Sequence, residues 1–197
     1  MNTLLKTGAK LTFVLSCGLV LAACEPSDDS TTAYGSFDEI DAAAVAAIGT
    51  YIDDDGDITA DLTDASTLTT GSAAYAGFVR GEVDGSTLTG TLTMDANFAT
   101  GAVTGSATDF FHETDGAYDG TLSGTGVVNT GAAGTVPHVT ATLDGDLTNG
   151  SDTFDTTLAF DGYFLTVGGA DAAAIAGEVE GNVGSDDFDD GLFVAEE

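Results

Sequence analysis

The chain has 197 residues, enough for one ordinary domain with an apolar core, and its 27 glycines and two prolines fit many short strands and turns. Only three basic residues accompany 33 acidic ones, for a formal net charge of −30. This charge excludes ordinary nucleic-acid binding, which needs clustered Lys and Arg, and it disfavours electrostatic adsorption to anionic lipid. The simplest interpretation of the acidic surface is solubility in salty surroundings, and the alternative is a ligand that selects acidic groups.

Residues 1–23 have the features of an export signal peptide. Lys6 and Lys10 supply its positive charge, and an apolar run of eleven residues follows from Leu11 to Leu21. Eleven residues are too few to span a bilayer, which needs roughly 20 apolar residues. The segment therefore predicts export and removal, and the rest of the chain keeps Arg80 as its single basic residue.

The tetrad Leu21-Ala-Ala-Cys24 resembles the bacterial lipobox, in which the signal is cut before the cysteine and the cysteine is acylated. Cys17 lies in the segment to be removed, so the mature chain forms no internal disulfide. We predict lipidation of Cys24 and stable anchoring to a membrane, with a plain secretory signal as the alternative. Glu25 favours the outer membrane, at the cell surface or on its periplasmic face, because an Asp there would favour inner-membrane retention in enterobacteria.

Residues 24–35 are predicted to be the lipidated cysteine with a flexible tether, and residues 36–70 a short helix with an acidic connection. Ser36-Phe-Asp-Glu39 has the form of a capping box, and Gly49 is suited to end the helix. The apolar stripe of this helix consists of Phe37, Ile40, Ala44 and Ile48. We expect the stripe to plug or cover one end of a barrel, with a partner-binding face as the alternative.

The run Asp53-Asp-Asp-Gly-Asp57 has some likeness to a calcium loop. Aligned on Gly56, an EF-hand would need an acid in place of Tyr51 and a glutamate in place of Leu62. Both end ligands are wrong, so we interpret the run as a solvated turn, with weak calcium binding as the alternative.

Residues 71–197 predict an all-β domain, in which β-prone segments alternate with turn residues. The predicted strands are Ser72–Val83, Ser86–Ala96, Ala99–Phe110, Gly116–Val128, Thr135–Leu147, Thr153–Val167, Ala174–Val183 and Phe188–Glu196. Residues typical of turns are found at Asp84-Gly85, Asp95-Ala-Asn97, Asp115-Gly116, Asn149-Gly150 and Ser185-Asp-Asp187. Two longer connections are expected at 129–136 and at 168–174, the second with room for one helical turn. The short joins predict an eight-stranded antiparallel up-and-down β-barrel.

Glycine alternates with branched residues on one parity of the predicted strands. In Ile175–Val183 the odd-numbered residues are branched or glycine, while the even-numbered ones are mostly polar. This two-residue period is that of a strand with one dry face. Because glycine weakens a flat strand, its repeated use on the inward parity indicates tight curvature or close packing. We expect the last hairpin to pair back on the strand that begins at Ser72.

Three motifs follow one another in the predicted barrel. They are Gly71–Phe78, Leu92–Gly105, and Ile175–Gly181 with Phe188–Phe193. Together they resemble the β-barrel domain of the transferrin-binding protein B family, over about residues 71–197. The resemblance implies an eight-stranded barrel in a Gram-negative surface lipoprotein, and some members of the family are exported to the cell surface by a dedicated outer-membrane translocon. The classical members capture host transferrin, whereas short single-barrel relatives are only nominally solute-binding. This chain has no second lobe and no basic surface, so we do not predict transferrin itself as its ligand.

The sequence carries no recognisable catalytic constellation, and we predict a protein that is not an enzyme and has no resident metal or cofactor. His112-Glu113 lacks the second histidine of a zinc-protease helix, since Gly116 stands at its position. Nucleophile-elbow and phosphate-loop motifs are also missing. Binding of a transition metal, haem or an iron chelate through His112 and His138 is the minor alternative.

Aromatic residues are the better candidates for binding. Phe110-Phe111 and Tyr163-Phe164 place neighbouring rings on opposite faces of a strand, so one ring of each pair should point outward or lie at a rim. Exposed aromatic residues near loops often anchor interfaces. The predicted binding residues are Phe110, Phe111, His112, His138, Tyr163 and Phe164. In the alternative the two pairs only cap the barrel ends; in either case Tyr75, Tyr118, Phe154 and Phe160 are expected in the core.

These features predict a non-catalytic binding module, tethered to the membrane by its lipid anchor. It would capture a protein or a small iron-carrying solute through loops at one barrel end and pass it to an outer-membrane transporter. The alternative is a structural or protective coat lipoprotein, whose carboxylates keep the cell surface hydrated.

Overall fold

The computed structural model describes residues 34–129 and 136–197, and all of these belong to one compact unit. The predicted signal peptide, Cys24 and most of the tether lie outside the described residues, as does most of the connection 129–136. The described part has one α-helix, α1 (Phe37–Tyr51). Its strands are β1 (Asp61–Leu62), β2 (Ser72–Val83), β3 (Ser86–Asn97), β4 (Ala102–His112), β5 (Gly116–Gly120), β6 (Leu122–Asn129), β7 (His138–Asn149), β8 (Asp152–Val167), β9 (Ala170–Val183) and β10 (Asp186–Glu196).

Eight strand positions close into a ring, which confirms the predicted all-β antiparallel barrel. Consecutive positions of the ring pair with each other, and β10 pairs back on β2, with Val194 opposite Phe78. The predicted strand Gly116–Val128 is interrupted at Thr121, so β5 and β6 share one position between β4 and β7. The short strand β1 adds to β8 outside the ring. Among the described residues, no helix combines the length and hydropathy needed to cross a bilayer.

The barrel interior is filled by the side chains of one parity. On β9, Val179 and Val183 are buried in the barrel core, while Glu178 and Glu180 on either side of Val179 are exposed. Gly177 shows why glycine recurs on the inner face. A Cβ at this position would fall on the carbonyl oxygen of Asp161, in the neighbouring strand β8. Glycine therefore permits the close approach of adjacent strands, as the sequence predicts.

Most hairpin turns lie where turn residues occur in the sequence. At Asp84-Gly85 both residues have positive φ, 51° and 74°, as a type I′ hairpin turn requires. Two predicted connections were wrong. Asp95-Ala-Asn97 belongs to β3, and the turn follows at 98–101. The longer crossing expected at 168–174 is a two-residue turn, because Gly168 and Gly169 both adopt positive φ and β9 begins at Ala170.

Helix α1 lies against the outer wall of the barrel, so the prediction that it plugs a barrel end is wrong. Ile48 and Tyr51 pack against Ala174, Ala176 and Val194. Ala174 and Ala176 flank the inward-facing Ile175 and therefore face outward, where their small side chains make a patch that a helix can approach. The stripe is buried as predicted at Ile40, Ala44 and Ile48, and half-buried at Phe37.

The two reciprocal hydrogen bonds of the predicted capping box are not found at the start of α1. Ser36 is the N-cap residue, but its side chain makes no capping hydrogen bond. Glu39 reaches back and its Oε2 accepts a hydrogen bond from the Gly35 N–H at 2.9 Å. The helix continues past Gly49 to Tyr51, because Ile48 and Tyr51 gain burial against the barrel wall.

The segment after β1 provides the cover that the helix was expected to provide. The Thr63 N–H donates to the Phe164 carbonyl at 2.8 Å, and Thr63 Oγ1 accepts from the Ala172 N–H at 2.9 Å. Leu68 is 4% exposed and belongs to the barrel core. Residues 63–68 thus close the end of the barrel at which β8 turns into β9.

Candidate binding site

The six predicted binding residues lie at the two opposite ends of the barrel. His112 ends β4 opposite Gly116, at the end where β2 turns into β3; we call it the His112 end. His138 begins β7 opposite Tyr163, near the turn between β8 and β9; we call it the His138 end. Between the two ends, the 11 residues of β4 from Ala102 to His112 span roughly 33 Å of strand. The structure therefore does not bring the two histidines together.

His112 is a core residue at its end of the barrel, only 5% exposed. Its Nδ1 accepts a hydrogen bond from the Asp115 N–H at 3.3 Å, so Nε2 carries the proton and donates to the Val83 carbonyl at 3.2 Å. The ring also stacks edge-on against Tyr118. Both ring nitrogens have protein partners, and this histidine serves to close the barrel.

The aromatic pairs divide between the two faces as predicted. Phe110 and Phe164 are buried in the barrel core, while Phe111 is half-buried and Tyr163 is 39% exposed. Tyr163 lies beside His138, with ring centroids 6.3 Å apart. Of the six predicted residues, Tyr163, Phe111 and His138 thus offer surface to a ligand. The core predictions for Tyr75, Tyr118 and Phe160 are confirmed, and Phe154 is partly buried against the core.

A groove that the sequence analysis missed runs along the outer wall. It has a volume of about 620 Å³ and lies between the end of α1, the turn at 53–56 and the outer face of β9 and β10. Its aliphatic lining consists of Val45, Ile48, Ile52 and Leu192. Its carboxylates are Asp53, Asp54, Asp55, Glu178, Glu180 and Asp190. We call it the acidic groove.

Arg80 also lines the acidic groove, and it is the single Lys or Arg at the described positions. Its Nε donates to Asp41 Oδ1 at 2.8 Å, and Thr89 Oγ1 donates to the same oxygen at 3.1 Å. This half-buried pair fixes α1 to the wall. The groove is left with six carboxylates against one guanidinium that already has a carboxylate partner.

Asp190 reaches the acidic groove through a β-bulge in β10. The register of β10 shifts between Asp189 and Leu192 against β2 and again between Phe188 and Gly191 against β9. Asp190 itself has a positive φ of 48°. A bulge re-aims the side chains of the strand in which it occurs. The run Asp189-Asp190-Gly191 was the sequence signal for this feature, since Gly191 leaves room beside the Val179 carbonyl.

The turn at Asp53–Asp57 forms one wall of the acidic groove. Asp53 Oδ1 accepts from the N–H groups of Asp55 at 3.1 Å and Asp57 at 2.9 Å, and all five residues are exposed. The predicted solvated turn is therefore confirmed as a turn that organises its own backbone. Across the described residues, no three His, Cys, Asp or Glu side chains are grouped as metal ligands.

A second groove lies on the other side of Glu178 and Glu180. Its volume is about 460 Å³, and it crosses the outer face of β6, β7 and β8. The outward residues Thr125 and Thr142 lie opposite each other in it. Asp161 lies directly opposite Glu178, so two like charges meet between the grooves. Such pairs destabilise a sheet unless a cation compensates them.

Three tyrosines have raised pKa values. The hydrogen bond from the Tyr51 hydroxyl to Glu196 Oε1, at 2.6 Å, and partial burial raise the pKa of Tyr51 to about 12. Burial raises the pKa of Tyr75, whose hydroxyl donates to the Ala172 carbonyl at 2.8 Å, and the charge of Glu197 adds to this. Burial and the nearby Asp115 raise the pKa of Tyr118. All three hydroxyls thus act as neutral structural donors.

Comparisons with protein-family models, with curated proteins and with solved structures found no match to this chain.

Proposed function

We propose that the chain is a lipid-anchored barrel at the bacterial outer membrane, which acts as a non-catalytic binding module. The observation that carries this proposal is the contrast between its two faces. The interior is filled by a single apolar core, whereas the outer wall carries the acidic groove with exposed Val45 and six carboxylates. A protein built in this way recognises its ligand on the outer wall, and residues 24–35 would hold that wall away from the membrane.

The resemblance to the transferrin-binding protein B barrel supports the same assignment. The closed ring of eight antiparallel strands agrees with the architecture that the resemblance implies. In this proposal the ligand is passed to an outer-membrane transporter, and an export translocon places the protein at the cell surface. Haem and most iron chelates are anionic, so the carboxylates of the outer wall favour a protein ligand over a free iron chelate.

The second candidate is a protective acidic coat. It is favoured by the exposed carboxylates Asp144, Asp146 and Asp187, which do not line the acidic groove. In a coat these groups would hold water and ions without a specific ligand, whereas a binding module needs only those at its groove. The two candidates therefore differ in whether any single part of the surface is required.

Replacement of the predicted lipidated cysteine tests the anchor. Cys24→Ser should abolish the incorporation of labelled fatty acid and release the protein from the membrane fraction, because no acyl chain can be attached. Cys17→Ser is the matched control, since Cys17 lies in the predicted signal peptide and should leave both properties unchanged. Labelling and membrane association that persist in Cys24→Ser would refute the anchor.

Site-specific photocrosslinking in intact cells tests the binding function. A crosslinking residue at Val45, 50% exposed in the acidic groove, is compared with one at Val127, 54% exposed in the second groove. A binding module should give a discrete adduct from one position, and its yield should depend on growth conditions such as iron limitation. A coat should give no discrete adduct from either position, and that result would reject the binding module.

A further inference from the structure

We propose that the acidic groove binds a basic peptide segment of a partner protein, in which Lys or Arg residues are interspersed with aliphatic ones. This inference rests on the proposed binding function and specifies the chemistry of the partner. The groove combines a volume of about 620 Å³ with both an apolar lining and a strong excess of carboxylates. Charge complementarity to these carboxylates therefore favours a basic segment as the ligand of the groove.

The apolar part of the groove comes from three different elements. Val45 belongs to α1, Ile52 follows the helix, and Leu192 belongs to β10. Val45 is half exposed, whereas Ile40, Ala44 and Ile48 on the same helix are buried. An aliphatic side chain of a ligand would cover Val45 and remove its apolar surface from water.

The carboxylates of the groove are spaced along its length. They come from the turn at 53–55, from Glu178 and Glu180 on one strand, and from the bulge at Asp190. This spacing suits a ligand that carries several separate positive charges, as a peptide with Lys or Arg residues does. The opposition of Asp161 to Glu178 at the edge of the groove gives a further reason for a cationic occupant, since the sheet is stabilised when a cation lies between them.

The bulge fits the same interpretation. A straight strand would place the side chains of Asp189 and Asp190 on opposite faces, and one of them would then point into the barrel. The bulge and the positive φ of Asp190 keep both residues exposed on the outer side. The fold thus maintains a carboxylate at the groove at the cost of an unusual backbone conformation.

The test uses the purified full-length chain and a fluorescent dodecapeptide composed of lysine, leucine and serine. Two further peptides serve as probes of the chemistry, one with every lysine replaced by glutamine and one with every leucine replaced by serine. Saturable binding is expected for the first peptide, and it should weaken as salt is raised because the ion pairs are exposed. Each of the other two peptides should bind at least several-fold more weakly.

Two matched double variants locate the binding site. Asp54→Asn with Asp190→Asn removes two charges from the groove, and asparagine tolerates the positive φ at position 190. Asp144→Asn with Asp146→Asn removes two exposed charges from β7, outside both grooves. An exposed ion pair contributes a factor of about two to five in affinity, so the first variant should bind the lysine-leucine peptide roughly tenfold more weakly and the second about as the native chain does.

Three results would overturn the inference. They are equal weakening in both double variants, which indicates unspecific attraction; equal binding of the glutamine peptide; and no saturable binding of the lysine-leucine peptide. The crosslinking experiment separates this failure from failure of the proposed function. A discrete adduct at Val127 but not at Val45 would keep the binding module and reject the acidic groove as its site.

Discussion

The two faces of the barrel wall follow different rules. On the inner face, Ile175, Val179 and Phe193 pack into one continuous core, and Gly177 has no space for a larger side chain. On the outer face, carboxylates and threonines alternate with the inward residues, and grooves of about 620 Å³ and 460 Å³ remain open. The difference teaches that the inner face determines whether the chain folds, while the outer face is free to vary in charge and shape.

Helix α1 is the exception on the outer face, because it brings a second apolar cluster to the outside of the barrel. Tyr51 and Ile52 pack on Ala174, Ala176 and Leu165 there, separate from the barrel core. Small outward residues thus convert part of a polar wall into a docking surface. The acidic groove exists because the helix stands on this surface and forms the groove's other side.

The largest effect is expected where a side chain is added to the inner face. Gly177→Val should destabilise the barrel by about 3 kcal/mol or more, because its Cβ would overlap the Asp161 carbonyl and the Gly162 Cα. Glu178→Val places the same side chain on the exposed parity of the same strand and should change stability by less than about 1 kcal/mol. Urea unfolding followed by circular dichroism measures both. Equal stability of the two variants would contradict the assigned inner face.

A smaller loss is expected when the cover of the His138 end is removed. Leu68→Ala should cost about 2 to 3 kcal/mol, since Leu68 is buried in the barrel core. Leu62→Ala is the matched control, because Leu62 lies in the same connection but is 42% exposed, and it should cost less than about 0.5 kcal/mol. Thermal unfolding measures the loss of stability in each of the two variants. A Leu68→Ala variant as stable as its control would show that the barrel end needs no cover.

The smallest effect concerns the contact between α1 and the last strand. Tyr51→Phe removes the hydrogen bond to Glu196 and should cost about 1 kcal/mol near neutral pH. The pKa of Tyr51 rises from 10.0 to about 12 on folding, so the neutral hydroxyl stabilises the fold fully below pH 10. The stability difference between the native chain and Tyr51→Phe should therefore be constant below pH 10 and diminish between pH 10 and 12. Urea unfolding at a series of pH values measures it, and a difference that stays constant to pH 12 would contradict the hydrogen bond.

Most of the barrel could be predicted from the sequence, because its signals are local. The period of two residues in Ile175–Val183 identifies the dry face, and Asp84-Gly85 supplies the positive φ values of a tight hairpin. The connection at 168–174 was misjudged because its alanines are compatible with either helix or strand, and pairing with β8 decided for strand from Ala170 onward. Local propensity is weak where a neighbouring strand offers hydrogen bonds.

The candidate site could be predicted only in part. The sequence predicted that one ring of each pair, Phe110-Phe111 and Tyr163-Phe164, would face outward without deciding which. It could not show that both ring nitrogens of His112 would bond within the barrel end, to Asp115 and to Val83 of β2. The acidic groove was missed because its residues are distant in the chain. Val45 and Asp190 are 145 residues apart in number, and only the docking of α1 beside the bulge of β10 brings them to one groove.

The sequence by itself determined that the chain is an acidic all-β barrel and which residues of each strand face inward. It could do so because the alternation of apolar and polar residues and the choice of turn residues act over a few neighbouring positions. Only the tertiary structure decided where α1 lies. The stripe of Ile40, Ala44 and Ile48 required an apolar partner but did not specify which. The outer wall offered that partner, with Ile48 packed among Ala174, Ala176 and Val194, while residues 63–68 close the barrel end. The place of a helix depends on which apolar surface remains uncovered, and this is a property of the assembled barrel.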